Sequence, residues 1–574
     1  MKRKNWRKIG SLGLLTTMLA ICYTGASATV LAAEAVSETQ TEAETSAEAE
    51  IPEPGEWTDI TSCITDGNNI QIKGTNTGTS PEPYDQYLYL FELKPYQDYI
   101  DDRTDYAAWI NKGTDVSFTI PLKKGTEDDR LYSRFVVAVY DGQKYHEISE
   151  QMYITNPEVL AKNTAEFVDP LTKKGLLIEN SMLADAFELG VKHVIVNFSF
   201  EQILGSGIDY TYDGKTYHFN KHLLEQYDET ISRMSEKGML VTAVILNGWN
   251  PNHPELIYPG VEKTSSAYYY AFNAATKEGY ETLKAIASFL AERYSGTNNE
   301  HGKVSNWIIG NEINNQQWNY IGPMGIENYV WEYERAFRVF YTAIKSTNKN
   351  DRVYFSTDFN WNHDADGQLK YGAKEIIDSF NSKLDRRGQM DWGLAYHPYS
   401  IPLTEPEFWD DDQTGLVNNT ELSPVVNFKN LQVLTDYMEK PEMRMKNGEV
   451  RHIILSEQGF TSNSLSRGKN NALQAAAFAY AYYIADSNPH IDAFIMSRQV
   501  DAVSEAKQSL SFGLWECDMN SPHEVKPTMR KQIWSTFKAI DGPDSLEATE
   551  FAKEIIGIEK WSDVIPNFKY QSKE

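Results

Sequence analysis

The chain has very few cysteines, and this shortage excludes two kinds of stabilising or reactive site. It has 3 cysteines among 574 residues, and only Cys63 and Cys517 lie beyond the apolar N-terminal segment. So small a number excludes a disulfide framework and a thiolate metal site. Neither cysteine lies near a histidine in the sequence, so we expect both to pack in cores rather than to act as nucleophiles.

Positive charge is also scarce, since 54 Lys and Arg residues stand against 81 Asp and Glu residues, for a formal net charge of −27 at pH 7. Nucleic acids and anionic membranes bind proteins through basic faces, so neither is expected as a partner. The acidity is explained by solubility outside the cell. His-x-His and His-Glu-x-x-His motifs are absent from the sequence, so we expect no metal and no cofactor.

The N-terminus carries an apolar run that is too short for a stable membrane span. Residues 2–8 are rich in Lys and Arg, residues 9–21 are mostly apolar, and small residues follow, as in a secretory signal peptide. We predict a signal peptide over residues 1–33, with cleavage between Ala28 and about Ala35. Ile21 places a bulky side chain before Cys22, so lipoprotein anchoring is not expected. The mature protein is expected to be secreted from a bacterium as a monomer, without membrane insertion.

Two segments of different composition precede the main domain. Residues 34–52 are acidic and nearly free of apolar side chains, which predicts a disordered linker. Residues 53–157 show short alternating runs separated by turn residues, which predicts a small all-β sandwich domain. Such a domain is either a carbohydrate-binding module or a structural partner of the next domain. We favour the structural role, because a fold does not by itself carry a function.

From residue 158 to residue 545, apolar runs of strand length alternate with helical patterns. We predict eight strand–helix units, with strands at 175–179, 193–198, 240–247, 307–309, 352–358, 391–398, 452–457 and 491–497. This count predicts an α/β fold, a (β/α)₈ TIM barrel. We also expect a hairpin over 210–219, a last amphipathic helix over 526–539, and a C-terminal helix and tail over 546–574.

Two of the predicted strands finish in a glutamate, Glu312 after the fourth and Glu457 after the seventh. A carboxylate at the end of a buried strand is costly unless it has a function. In a TIM barrel the active site lies at the carboxyl ends of the strands. Other residues are predicted at these ends or in the loops beside them: Asn197, Asn247, Trp249, Asn311, Trp318, Asp358, Trp361, His397, Tyr399, Trp409, Arg498, Gln499 and Trp515.

Two carboxylates that face each other across a pocket of aromatic and amide side chains are the arrangement needed to cleave a glycosidic bond. One must be protonated to assist the leaving oxygen, and the other must be ionised to attack the anomeric carbon. A separation of about 5–5.5 Å leads to retention of configuration, and a wider gap admits water and leads to inversion. Both outcomes stay open at this stage. Aromatic rings would stack on sugar faces, and Asn and His would bind hydroxyl groups.

These motifs resemble glycoside hydrolase clan A, a group of retaining TIM-barrel glycosidases. The resemblance covers about 165–545 and consists of Gly310-Asn311-Glu312, His397-Pro398-Tyr399 and Ser456-Glu457-Gln458-Gly459. It implies that Glu312 is the general acid/base, that Glu457 is the nucleophile, and that Asn311 binds the 2-hydroxyl group. It also implies that Tyr399 forms a hydrogen bond to Glu457 and that His397 belongs to the same network.

The sequence departs from the clan at the end of strand eight, where a Trp is common and Arg498 stands instead. Trp515 is a candidate to replace that ring. Arg498 indicates either a substrate that carries a carboxylate or sulfate, or an ion pair with a neighbouring carboxylate such as Glu457.

Two readings compete with a retaining hydrolase. In the first, Glu312 and Glu457 only cap the helices that follow them. In the second, the barrel belongs to a non-catalytic carbohydrate-binding or cell-surface protein. The sugar, the linkage and the choice between internal and terminal cleavage stay open.

Overall fold

The computed structural model describes residues 57–77, 85–363, 365–566 and 568–573. The predicted signal peptide and acidic linker lie outside the described residues. The strands are β1 Thr58–Thr65, β2 Asn69–Asn76, β3 Tyr87–Leu93, β4 Ala108–Asn111, β5 Asp115–Pro121, β6 Arg134–Tyr140, β7 Tyr145–Glu147, β8 Met152–Tyr153, β9 Lys174–Leu177, β10 His193–Ser199, β11 Gly207–Tyr212, β12 Lys215–Asn220, β13 Leu240–Leu246, β14 Asn306–Ile309, β15 Arg352–Asp358, β16 Trp392–His397, β17 Ile453–Gln458, β18 Asn463–Ser464, β19 Gly468–Lys469, β20 Ile491–Met496, β21 Trp515–Cys517 and β22 Pro527–Arg530. The α-helices are α1 Leu183–Glu188, α2 Phe200–Ile203, α3 Lys221–Glu236, α4 Lys277–Arg293, α5 Ile326–Lys345, α6 Ala373–Arg387, α7 Gln432–Met438, α8 Asn471–Ser487, α9 Val503–Ala506, α10 Gln532–Ala539, α11 Ser545–Ala548 and α12 Glu550–Ile556.

The first eight strands form two antiparallel sheets, as the alternating pattern predicts. One sheet has the order β1-β2-β5, and the other has the order β4-β3-β6-β7 with β8 paired to β6. Alternate side chains of β5 are buried, and they join those of β3 and β6 in one hydrophobic cluster. The two sheets therefore share a core, and this core is continuous with that of the barrel. The domain boundaries at 53–157 and 158–545 stay predictions.

Eight parallel strands close into a barrel in the order β9-β10-β13-β14-β15-β16-β17-β20, and β20 pairs with β9. The predicted (β/α)₈ fold is confirmed, and each predicted strand overlaps one strand of the barrel. Strand β15 begins and ends at the predicted residues. Apolar residues on both strand faces explain this agreement, because a parallel barrel strand is covered by the lumen on one side and by helices on the other.

The barrel lumen changes from apolar to polar toward the carboxyl ends of its strands. Its apolar layer contains Leu177, Ile195, Val244, Leu246, Ile308, Tyr354, Ala395, Ile454, Ala493 and Ile495. Because side chains two residues apart share a strand face, the next lumen position is Ser356 on β15, His397 on β16 and Ser456 on β17. The polar layer therefore lies where TIM-barrel active sites lie.

Two predictions outside the barrel strands have different outcomes. The hairpin over 210–219 is confirmed as β11–β12, with positive φ at Asp213 (48°) and Gly214 (75°) in its two-residue turn. The helix expected over 526–539 begins later, at Gln532, because Pro527–Arg530 pairs with β21 as a short strand. None of the described helices is long and apolar enough to cross a membrane.

Candidate active site

Glu312 lies at the carboxyl end of β14 in an unusual backbone conformation. Its φ is +37°, and its amide donates a hydrogen bond of 2.8 Å to Oγ of Ser356 on the next strand. A positive φ costs a non-glycine residue roughly 1–2 kcal/mol, so such a conformation persists only where the surrounding structure holds it. The Glu312 side chain is 1% exposed. The structure therefore fixes this carboxyl group inside the barrel mouth.

Glu457 lies at the end of β17, beside an irregularity in the sheet. The register between β17 and β20 shifts between Leu455 and Gln458. The side chains of Ser456 and Glu457, which lie in this interval, therefore need not point to opposite faces of the strand. As a result, Ser456 and Glu457 both line the same small chamber. Glu457 is 3% exposed, and the hydroxyl of Tyr399 donates a hydrogen bond of 2.8 Å to its Oε1 atom.

His397 connects the two strand ends. Its Nδ1 atom lies 2.8 Å from Oε1 of Glu312, and its Nε2 atom lies 3.0 Å from Oγ of Ser456. One oxygen of Glu312, one ring nitrogen of His397 and one oxygen of Glu457 all lie within 4.8 Å of one another. In the described part of the chain this trio is the one group of its kind that could hold a metal ion. Both His397 nitrogens and Oε1 of Glu457 already have hydrogen-bond partners, which are Glu312, Ser456 and Tyr399.

The environments of the two glutamates differ in their effect on pKa. Burial raises the pKa of Glu312 well above its ordinary value, and the charge of Asp358 adds to this. Burial also raises the pKa of Glu457, and the charge of Glu312 adds to this, but the Tyr399 hydrogen bond and the charge of Arg498 oppose the rise. Glu312 therefore holds its proton to higher pH than Glu457. Burial lowers the pKa of His397, which favours the neutral imidazole.

Arg498 pairs with a carboxylate that the sequence motifs did not single out. Its Nη1 atom donates a hydrogen bond of 2.9 Å to Oε1 of Glu505, and both side chains are buried. The ion pair that the sequence suggested, with a neighbouring carboxylate such as Glu457, is made with Glu505 in this contact. Burial, opposed by Arg498, raises the pKa of Glu505 to about 8. Glu505 lies in the short helix α9 outside any motif, and only its place after strand eight could have indicated it.

An aromatic cluster packs around Tyr399. Trp318 stacks on Tyr268 with ring centroids 4.8 Å apart and an interplanar angle of 15°. Trp318, Tyr399 and Phe512 belong to one buried hydrophobic cluster. Trp249 is half-buried and lies against Tyr270, with ring centroids 5.2 Å apart. The structure thus brings Trp318 to the same side of the barrel as Tyr399.

Three other predicted substrate contacts have their observed partners in the scaffold. Trp361 is fully buried, and its Nε1 atom donates a hydrogen bond of 3.1 Å to the carbonyl of Glu421. Trp515 donates through Nε1 to Oδ2 of Asp185 at 3.0 Å. Asn247 donates through Nδ2 to the carbonyl of Leu256 at 3.0 Å, which holds the loop after β13. Trp409 is half-buried and contacts Phe408.

A small chamber lies between the lumen core and the glutamates. Its apolar side is formed by Leu177, Ile195, Val244 and Ile308, and its polar side by Asn311, His397, Ser456, Glu457 and Ser497. Asn311 is buried like its neighbours. At the level of His397, Nδ2 of Asn314 donates a 2.6 Å hydrogen bond to Oδ1 of Asp358, which ties the loop after β14 to the end of β15. Glu457 lines this chamber, and one of its carboxylate oxygens lies within 4.8 Å of one of Glu312, so two carboxyl groups of different acidity lie close together, which suits acid–base and nucleophilic chemistry.

Residues 166–564 match the family described as "Family of unknown function (DUF5722)". The chain belongs to this family. A search of curated proteins found no match.

Solved structures similar to this chain include three glycoside hydrolases. A family 39 glycoside hydrolase from Bacteroides cellulosilyticus WH2 has 15% identity and a TM-score of 0.44, with 83% of this chain and 80% of that chain covered. A family 1 β-glucosidase from Thermotoga maritima has 13% identity and a TM-score of 0.39, with 64% and 85% covered. A Bacteroides uniformis β-glucuronidase has 10% identity and a TM-score of 0.36, and the match covers 84% of this chain but only 49% of that one. All three TM-scores are below 0.5.

Proposed function

We propose that this protein hydrolyses glycosidic bonds with retention of configuration. The observation that carries the proposal is the pair of buried glutamates at the ends of β14 and β17, with carboxylate oxygens within 4.8 Å of each other. Retaining glycosidases separate their carboxyl groups by about 5–5.5 Å, and inverting ones by about 6.5–9.5 Å. The short separation supports direct attack by one glutamate rather than by an interposed water.

The different environments of the two glutamates support a division of roles. Glu312, with the higher pKa, protonates the leaving oxygen, and ionised Glu457 attacks the anomeric carbon to form a glycosyl–enzyme ester. Glu312, now ionised, then takes a proton from water, which attacks the same carbon and releases Glu457. Tyr399 and His397 hold the two carboxyl groups through their 2.8 Å contacts.

We assign the substrate to the oligosaccharides or polysaccharides found outside the cell. Asn311, next to Glu312, would bind a hydroxyl group, and half-buried Trp249 would offer a ring for a sugar face, whereas Trp318 is buried against Tyr268 and would support the site from behind. The basic and apolar N-terminal residues support secretion, with removal of residues 1–33. The protein then acts as a monomer, without a metal or cofactor.

The proposal is tested by replacing each glutamate with its amide. Glu312→Gln and Glu457→Gln are assayed on a panel of aryl glycosides and polysaccharides, with Glu375→Gln on the exposed surface of α6 as a matched control. We expect a loss of at least about 10²–10⁴-fold for each site variant and none for the control. Proton NMR of the first product should show the anomer of the substrate. Unchanged turnover in a folded site variant would refute the assignment of the two glutamates. A first product of the opposite anomeric configuration would show that the enzyme inverts rather than retains.

A non-catalytic carbohydrate-binding protein is the second candidate, and one observation favours it. Glu312 and Glu457 are only 1% and 3% exposed, so the pair is covered as it stands. Calorimetric titration of the same glycan panel separates the candidates. Saturable binding without release of any sugar supports the binding protein, and turnover that needs both glutamates excludes it.

A further inference from the structure

Four arginines are buried where the N-terminal sheets meet the barrel helices. Arg134 begins β6, Arg335 and Arg338 lie on α5, and Arg387 ends α6. Their exposed fractions lie between 0% and 4%. Guanidinium groups are rarely buried without acceptors, because they cannot lose their charge in a protein. These four residues, called the arginine cluster below, therefore need an account of their partners.

The guanidinium groups crowd around two aromatic rings. The central carbon of Arg134 lies 5.7 Å from the ring centroid of Tyr153 and 5.6 Å from that of Trp331. The corresponding carbon of Arg387 lies 5.4 Å from Tyr153 and 3.8 Å from Trp331. Arg338 and Arg335 each approach one of the same rings, at 4.4 Å and 5.9 Å. Stacking uses the faces of the guanidinium groups and leaves their N–H edges to find acceptors in the plane.

Protein acceptors reach only part of these edges. Buried Glu334 accepts from Nη1 of Arg387 at 2.8 Å and from Nε of Arg338. Asp98 and Glu332 accept from Nη2 of Arg335 at 2.8 Å and 3.1 Å. Within the described residues, several buried donor atoms of this region have no hydrogen-bond partner: Nε and Nη1 of Arg134, Nε of Arg335, Nε and Nη2 of Arg387, and the hydroxyl of Tyr153.

Arg451 is a buried arginine whose N–H donors all have acceptors within the chain. Arg451 is 2% exposed and lies over Trp392 at 4.3 Å, so its burial and stacking match those of Arg387. Its Nε donates to the carbonyl of Met443 at 2.8 Å, and its Nη1 and Nη2 atoms also reach oxygen acceptors. All three nitrogens of Arg451 are thus satisfied from within the chain. The arginine cluster is buried to the same extent as Arg451, but several of its N–H donors lack the acceptors that Arg451 has.

We propose that the arginine cluster binds one small free oxyanion of the sulfate or phosphate type. The unpartnered Nε and Nη2 atoms of Arg387 form one edge of its guanidinium group, the fork that holds two oxygens of an oxyanion at once. Arg134, Arg335 and Tyr153 supply further donors. The ion pairs of the cluster are with three carboxylates, Glu334, Glu332 and Asp98. Burial raises the pKa of a fourth, Glu147, and the charge of Arg134 opposes this rise. Burial lowers the pKa of Arg134 to about 10, and the charges of Arg387 and Arg335 add to this.

An anion at this place would join the two parts of the chain. Arg134 and Tyr153 come from the N-terminal sheets, whereas Arg335 and Arg387 come from barrel helices. The bound ion would stabilise their junction without touching the glutamate site.

Thermal unfolding of the full chain tests the proposal. Sodium sulfate and sodium phosphate are titrated in a chloride-free buffer at constant ionic strength, into the wild type, Arg387→Lys and the matched control Arg451→Lys. Sulfate stabilises proteins generally by exclusion from their surface, which raises Tm linearly with concentration in all three. We expect an added saturable rise in the wild type and Arg451→Lys, with the half-saturating concentration at least about tenfold higher in Arg387→Lys because lysine lacks the fork.

Equilibrium dialysis of the wild type with radiolabelled sulfate gives a second measurement that does not depend on a variant's folding. One sulfate bound per chain, displaced by phosphate, supports the site, and Arg134→Lys should weaken it as Arg387→Lys does. A purely linear rise in Tm in the wild type, or no bound sulfate on dialysis, overturns the proposal and assigns the free donors to water.

Discussion

The Nδ1 atom of His397 lies 2.8 Å from Oε1 of Glu312, although the two residues are 85 positions apart in the chain. The imidazole also reaches Ser456 on β17, so one ring spans from the fourth to the seventh barrel strand. Since burial favours the neutral form of His397, this contact orients Glu312 without adding a full positive charge beside it. The proton can therefore stay on Glu312, as the proposed acid role requires.

Tyr399→Phe should move the acidic limb of the pH–activity profile to higher pH. The Tyr399 hydrogen bond favours the ionised form of Glu457 and so lowers its pKa. Without it that pKa rises, and a larger fraction of Glu457 is protonated and inactive at low pH. The measurement is kcat/KM against pH. Tyr396→Phe is the control, because its buried hydroxyl donates to the carbonyl of Val426 instead. Equal shifts in both variants would contradict the assignment.

Glu312→Ala should lose activity in proportion to the basicity of the leaving group. Substrates with acidic phenols need little protonation and should still form the glycosyl–enzyme, whereas alkyl glycosides should react about 10²–10⁴-fold more slowly. Added azide should restore turnover by replacing the activated water and give a product of unchanged anomeric configuration. If Glu457→Ala gives this same product under azide, the two roles are assigned the wrong way round.

Arg498→Met should destabilise the protein more than the double variant Arg498→Met/Glu505→Gln. The pair is buried, and removal of one partner leaves an uncompensated group, which costs about 3–5 kcal/mol of unfolding free energy. Replacement of both partners should recover part of this loss. Urea unfolding of the wild type, both single variants and the double variant measures the coupling. Additive effects of the two single changes would show that the ion pair contributes little.

Trp361→Ala and Trp318→Ala should affect different properties. Trp361 is fully buried among core residues, so its loss should cost about 3–5 kcal/mol of unfolding free energy with little change in KM. Trp318 packs in the cluster that contains Tyr399, so its loss should raise KM or lower kcat as well. Unfolding curves and kinetics of both variants decide this. A raised KM in stable Trp361→Ala would place that ring at the substrate instead.

Asp351→Asn should stabilise the protein more at pH 8 than at pH 5. Burial raises the pKa of Asp351 from its ordinary value of 3.8 to about 7, so the folded state disfavours its charged form. Its stabilising contribution is present below pH 3.8 and is lost as pH rises through 7. Asparagine keeps an oxygen for the 3.1 Å hydrogen bond from Nε1 of Trp307 and carries no charge. Urea unfolding at both pH values measures the difference, and an equal effect at pH 5 and pH 8 would refute it.

The barrel strands and the two strand-end glutamates could be predicted because their signals are local. Runs of apolar residues such as Trp307, Ile308 and Ile309 are determined by burial on both faces, and each glutamate follows its strand directly. The short strand Pro527–Arg530 was missed because a segment of this length has no clear period and gains its stability only by pairing with β21.

By itself the sequence determined the eight barrel strands and which residue types stand at their ends. The tertiary structure alone decided that His397 contacts Glu312, that Arg498 pairs with Glu505, and that Trp361 is buried. It also brought Arg134 beside Arg387 around shared aromatic rings. These relations join residues from different strands, loops and helices, and their partners are chosen by closure of the barrel and by packing against the N-terminal sheets. Local sequence periodicity carries no record of that choice.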